Sequence, residues 1–181
     1  MDSWVRTIPY GGISPTIPES VFVAPYAVIV GDVVIGEESS VWYHTTARGD
    51  VNRIRIGSRT NIQDNSVLHV THDTHPLLIG DNVTCGHAVR LHGCTIHDET
   101  LIGIGAIVLD GAVVESGAIV AAGSLVPPGM VVRSGTIVAG VPARMLRELR
   151  PAEREDILAS ADRYVEYARV SRSELGEWPN E

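Results

Sequence analysis

The chain contains no lysine; its basic side chains are fourteen arginines in 181 residues. Schiff-base chemistry on a lysine amine is therefore excluded. There are only two cysteines, Cys85 and Cys94, and they lack the CxxC spacing of a redox or zinc motif. No apolar run reaches membrane-spanning length. The start, "MDSWVRTIPYGG", lacks the charged beginning and apolar middle of a secretion signal. A cytoplasmic protein with reduced thiols is the expectation, with no membrane partner. The formal charge of −8 argues against a nucleic-acid partner, which would call for a basic patch.

What the chain does have is a repeat. Aliphatic residues recur every six positions at Val23, Ile29, Ile35, Val41 and Ala47. After three extra residues the series resumes at Ile56, Ile62 and Leu68, and after five more at Ile79, Cys85 and Leu91. One residue is then missing, and Ile96, Ile102, Val108, Val114, Val120 and Val126 follow. Four positions after most of these stands a small residue, such as Ala27, Ser39, Thr45, Thr60, Ser66, Thr95, Ala106 or Ala112. A six-residue period held this long fits neither a helix nor an ordinary β-sandwich. It fits stacked hexapeptides, each one short strand and one corner.

This pattern resembles the left-handed β-helix family of hexapeptide-repeat proteins. The resemblance implies an all-β solenoid in which three hexapeptides close one triangular coil of about eighteen residues. Roughly five to six coils would stack at the inter-strand spacing of ~4.8 Å. We expect an N-terminal segment over 1–16, the left-handed parallel β-helix over 17–146, and a C-terminal α-helix and tail over 147–181. "GVPARMLREL" leaves the hexapeptide pattern, and Pro151 suits a first helical turn. Ile157, Leu158, Ala161, Tyr164, Val165 and Ala168 recur at helical spacing, which predicts an amphipathic helix over 151–171. "SELGEWPNE" reads as a poorly ordered tail.

Register now places the histidines. Leu68 and Leu91 are one coil plus five residues apart, so the surplus in "HVTHDTHPLL" must bulge as a loop. His69 and His92, each following one of those leucines, then stack and point outward. Two imidazoles one rung apart can share a metal ion. His87 falls on the preceding face, with Asp64 beneath it and Gln63 beside it. A neighbouring chain could present its His87 to the His69/His92 pair, and a cyclic trimer does this at every interface. Arg48 lies beneath His69, and Arg48 and Asp50 of "RGD" could form ion pairs between chains. His44 and His97 read as surface residues. An outward histidine on a solenoid is ordinarily plain surface, and spacing alone leaves both readings open.

The run "RGDVNRIRIGSRTNIQDNSVLHV", followed by "IGDNVTCGHAVRLHGCTI", resembles the gamma-class carbonic anhydrase family, and the likeness extends through "AGVPAR" to the C-terminal helix. It implies that His69, His87 and His92 are the metal ligands of a homotrimer. The metal would be Zn2+, with Fe2+ or Co2+ as alternatives. Asn61, Gln63 and Asp64 match polar residues around the metal-bound solvent, and Tyr164 matches a nearby tyrosine. Arg48 and Asp50 match an interface pair. The implied reaction converts carbon dioxide to bicarbonate. Val51 and the loop "THDTHPLL" depart from the family's fast catalysts, which carry acidic residues there. His72 and His75 are the remaining candidates for a proton relay. Two other functions compete: a hexapeptide-repeat transferase using acyl-CoA, and a metal-stabilised trimeric module without turnover.

Overall fold

The computed structural model describes residues 6–175. The inward aliphatic residues form three columns, one per face of a left-handed prism with about seven turns. On the first face Ile29, Ala47, Leu68, Leu91, Val108 and Val126 pair in parallel, rung on rung. Ile35, Ile56, Ile79, Ile96, Val114 and Val132 line the second face. Val41, Ile62, Cys85, Ile102, Val120 and Val138 line the third. Every one of these side chains is buried. Most of them are branched aliphatics, which suit a narrow, close-packed shaft.

The corners explain the small residues. Ser39, Thr45 and Thr60 are buried, and their hydroxyls donate to the backbone carbonyls of Gly57, Gln63 and Gly80 in the next coil, at 2.7, 2.9 and 2.7 Å. These bonds satisfy carbonyls that the turning backbone would otherwise leave unpaired. Thr95 is only half-buried, because the missing residue hands its corner to the buried Cys94.

The solenoid is longer than the expected five to six coils. The repeat continues through Val132 and Val138, and Arg6–Ile8 adds a parallel strand against 28–30. The chain from Arg6 onward thus already takes part in the ladder. At the other end Arg144–Glu148 turns back antiparallel along Thr136–Ala139 and ends the stack.

The C-terminal helix, Pro151–Leu175, outlasts the expected 151–171 and takes in the first three residues of "SELGEWPNE". The other six lie outside the described residues. Its first turn is capped by Glu153, which accepts from the Arg150 backbone N–H and from the Arg147 and Arg150 guanidiniums. It packs on the third face through Ile157, Ser160, Ala161 and Ala168. Leu158, expected on that face, is exposed instead. Among the described residues no helix is long and apolar enough to cross a membrane.

Cys85 and Cys94 are unpaired and fully inside the prism. Burial pushes the Cys85 thiol up to about 12, and burial raises Cys94 as well. Reactivity needs the thiolate. At pH 8 a soluble disulfide reagent should therefore label neither thiol in the folded protein and both in denaturant, as read by absorbance.

Candidate metal centre

Two stretches of backbone bring the central side chains together. Val67–His69 and Arg90–His92 pair in parallel, with His69 directly opposite His92. Their rings approach until His69 Nδ1 and His92 Nε2 are 3.0 Å apart. The remaining ring nitrogens are held by carboxylates. His69 Nε2 lies 3.0 Å from Asp50 Oδ1, and His92 Nδ1 lies 2.6 Å from Asp110 Oδ1. Burial raises the Asp50 carboxyl, but hydrogen bonds from His69 and Arg48 outweigh it and the net shift is downward. Asp110 follows the same pattern: burial raises it, and hydrogen bonds from His92 and Thr71 carry it below its ordinary value. Both are ionised at neutral pH and can only accept.

The tautomers follow. His69 must carry its proton on Nε2 and His92 on Nδ1. Two bare lone pairs then face each other at 3.0 Å. That arrangement is repulsive unless a proton or a cation lies between them. The separation is close to the roughly 3.4 Å between two nitrogens of a tetrahedral zinc ion. Carboxylates on the far nitrogens are the usual outer partners of metal-binding histidines. The donor set therefore fits a metal ion.

His87 lies on the third face, as the register requires, and stands exposed. Its Nδ1 is 2.7 Å from Asp64 Oδ2, one rung below, so its bare Nε2 is the other nitrogen. Among the described residues no three potential ligands converge within one chain. The structure brings His69 and His92 together and sets His87 apart from them.

The other expected site residues divide between these two faces. Arg48 and Asp50 close an ion pair inside one chain, and Asp50 also holds His69. Asn61, Gln63, Asp64 and Tyr164 belong with His87. Gln63 and Asn61 are buried side by side. Tyr164 packs edge-on against Trp42 and borders a cavity of about 580 Å3 with Tyr43, Asp64, His87 and Tyr167. Burial raises the Tyr164 hydroxyl and the Asp64 charge raises it further, so it stays protonated. His72 sits exposed in the hairpin closed by Thr71 and His75, 3.0 Å from Asp73. His75 instead folds back against Gly93 and Gly111, on the side of Asp110. Val51 packs on the core.

Sequence reasoning missed Asp110. The deletion beside Gly93 offsets the register there, so Asp110 sits over Gly93 rather than over His92. Gly93 has no side chain, which leaves Asp110 room to lean across to His92. A Cβ on Gly93 would lie 2.5 Å from Asp110 Oδ1 and 2.7 Å from His75 Cβ. The Thr71 hydroxyl donates to Asp110 Oδ2 at 2.8 Å and completes the clamp.

No family model matches the chain. It is similar to a carbonic anhydrase of Geobacillus kaustophilus, 50% identical over 158 residues, which make up 87% of this chain and 86% of that one. Gamma carbonic anhydrase 1, mitochondrial, of Arabidopsis thaliana is 49% identical over 166 residues, or 89% of this chain, which spans 60% of that longer relative. Among solved structures, a Bacillus cereus protein described as an acetyltransferase superposes with a TM-score of 0.92 at 43% identity, over 94% of this chain and 99% of that one.

Gly93 gives the clamp a direct test. Both Gly93 and Gly129 have positive φ, but a Cβ on Gly129 would meet nothing within 4 Å. Gly129→Ala should cost about 1–3 kcal/mol from backbone strain alone. Gly93→Ala should cost clearly more, because it must also displace Asp110 or His75. Urea unfolding of the two variants measures the difference.

Proposed function

Because this chain belongs to the gamma-class carbonic anhydrase family, we propose that it catalyses the reversible hydration of carbon dioxide to bicarbonate at metal sites shared between subunits of a homotrimer. One observation carries the reading: two carboxylate-anchored imidazoles turn their bare nitrogens to one point. His69 and His92 of one chain, with His87 of a neighbouring chain, would hold the metal. Zinc is the first choice, and iron or cobalt also suit imidazole. Three neutral imidazoles would leave such a metal one open position, where it would supply the acidity that makes hydroxide available near neutral pH.

The chain's own residues do the rest. Asp50, Asp110 and Asp64 each hold one nitrogen of a ligand histidine and so fix which nitrogen is left bare. Gln63 supplies a polar group next to Asp64 and His87, and Tyr164 a protonated hydroxyl. Trp42 and Tyr167 give the cavity apolar walls suited to a small, uncharged substrate. Hydration releases a proton, which must reach solvent through a side chain of suitable pKa. His75, set against Asp110, is better placed for this than His72. Arg48 and Asp50 remain candidates for contacts across the subunit interface. A reducing compartment such as the cytoplasm fits two buried, unpaired thiols.

The likeness to a protein described as an acetyltransferase favours a second reading, acyl transfer from acyl-CoA. That chemistry asks for one histidine as general base. It gives no reason for three histidines each backed by a carboxylate. A metal-stabilised module without turnover would need the same ligands as the hydratase.

Metal analysis and a hydration assay on one preparation decide among the three. The expected result is one metal per chain and carbon dioxide hydration that chelation abolishes. Metal-free protein as purified without chelator would overturn the proposal, and bound metal without hydration would favour the inert module. The shared site has its own test. His69→Ala and His87→Ala should each lose metal and activity as homotrimers. Co-expressed, they should regain one working site per mixed trimer, since only one interface then joins an intact pair to an intact His87. Retention of full metal by His87→Ala would rule out the shared site.

A further inference from the structure

Gln63 is the only glutamine in the chain, and it is buried. A primary amide has two chemically opposite ends, and which end faces the site decides whether it donates or accepts. The surrounding hydrogen bonds settle that orientation. The Val83 carbonyl, which can only accept, lies 3.4 Å from one terminal atom of the Asn61 amide, so that atom is Nδ2. The same Nδ2 donates to Thr84 Oγ1 at 3.0 Å. Asn61 Oδ1 is therefore the acceptor for Gln63 Nε2, also at 3.0 Å. Thr84 Oγ1, having accepted from Asn61, donates its own hydrogen to Ser160 Oγ on the C-terminal helix at 3.1 Å. Asn61, Thr84 and Ser160 are all buried.

Among the described residues this chain of bonds leaves Gln63 Oε1 without a protein partner. Among the described residues no fully buried side-chain polar atom lacks a hydrogen bond, so Oε1 reaches the surface. It does so one residue before Asp64, which carries His87. We infer that Thr84 and Ser160 are positioning residues, which hold the Asn61–Gln63 amide pair in one orientation and so present Gln63 Oε1 to the site as a fixed hydrogen-bond acceptor. Neither residue reaches the site itself. Ser160 gives the C-terminal helix a part in the chemistry beyond covering the third face. An acceptor at that point orients a donor such as a bound water. A flipped amide would offer an N–H instead and compete for the wrong partner. This inference rests on the proposed hydration activity only for its kinetic consequence.

A single glutamine makes the test clean. Glutamine labelled with heavy nitrogen gives one side-chain amide in the spectrum of the metal-loaded protein. Its two protons should be well separated, and one should exchange slowly with solvent. Thr84→Val keeps the shape and removes the hydroxyl; it should shift those signals and speed their exchange. Ser160→Ala should do the same to a smaller extent, and Thr84→Ser should restore the original spectrum. In the hydration assay Thr84→Val should lower kcat about 10- to 100-fold, with metal content and thermal midpoint close to those of the parent chain and with recovery in Thr84→Ser. If Thr84→Val folds poorly, Ser160→Ala reads the same signals. Unchanged Gln63 amide signals in Thr84→Val and Ser160→Ala would overturn the inference, whether or not the chain hydrates carbon dioxide. A parent chain without hydration activity bears on the proposed function alone.

Discussion

Each coil must hydrogen-bond to the next along a parallel ladder, with a rise of roughly 4.8 Å per rung. That requirement decides which side chains meet. Inward and outward positions alternate, and a residue on one rung has fixed neighbours above and below. The core is three columns of mostly aliphatic residues, with Cys85 taking one inward position. The His69/His92 contact and the Asp64/His87 contact arise in the same way, as outward residues on consecutive rungs. No long-range folding event is needed to assemble either pair. The ladder that closes the core closes them as well.

A perfect repeat, however, gives every rung the same corner. The irregular corners of this prism fall on one edge. The three extra residues lie within Thr46–Ile56, the five extra residues in the hairpin after His69, and the missing residue just after His92. All three follow strands of the first face, in consecutive coils, beside the histidine pair. Each provides something that a regular hexapeptide corner does not. The first brings Asp50 back to His69. The second folds His75 and Thr71 toward Asp110. The third opens the space that Asp110 uses. The breaks in period mark the site as clearly as the histidines do.

Much of this was legible in the sequence, because a six-residue period is an absolute register. The faces of His69, His87 and His92, and the place of Asp64 beneath His87, followed from counting. Counting failed where the period itself lapses. Asp110 was overlooked because the deletion offsets it from His92 and only the bare Gly93 lets it lean across. The hold of Asp50 on His69 within one chain was not legible either, because spacing shows that an Arg and an Asp are near, not which way the intervening strand bends. The solenoid is longer than expected because Arg6–Ile8 joins the ladder before the repeat becomes regular and Val132 and Val138 continue it beyond Val126. The helix runs on to Leu175, which packs with Tyr164 and Ala168 on Phe22 and Trp42, while Arg172 reaches the Glu19 carbonyl.

The carboxylates bear on how a shared site can be built from identical chains. A ligand histidine free to rotate would have to be ordered when subunits meet, at a cost in side-chain entropy taken from the association itself. Here each ring is already fixed within its own chain, by Asp50, Asp110 or Asp64. The His69/His92 pair also holds two bare lone pairs together, an unfavourable contact that a cation would relieve. On the proposed reading, association then adds a third oriented nitrogen to a site whose first two are in place, and little reorganisation is left for the metal to drive. The amide relay from Ser160 through Thr84 to Gln63 extends the same logic to an uncharged group. Its orientation is set by the buried face beneath the helix, before any partner or substrate arrives.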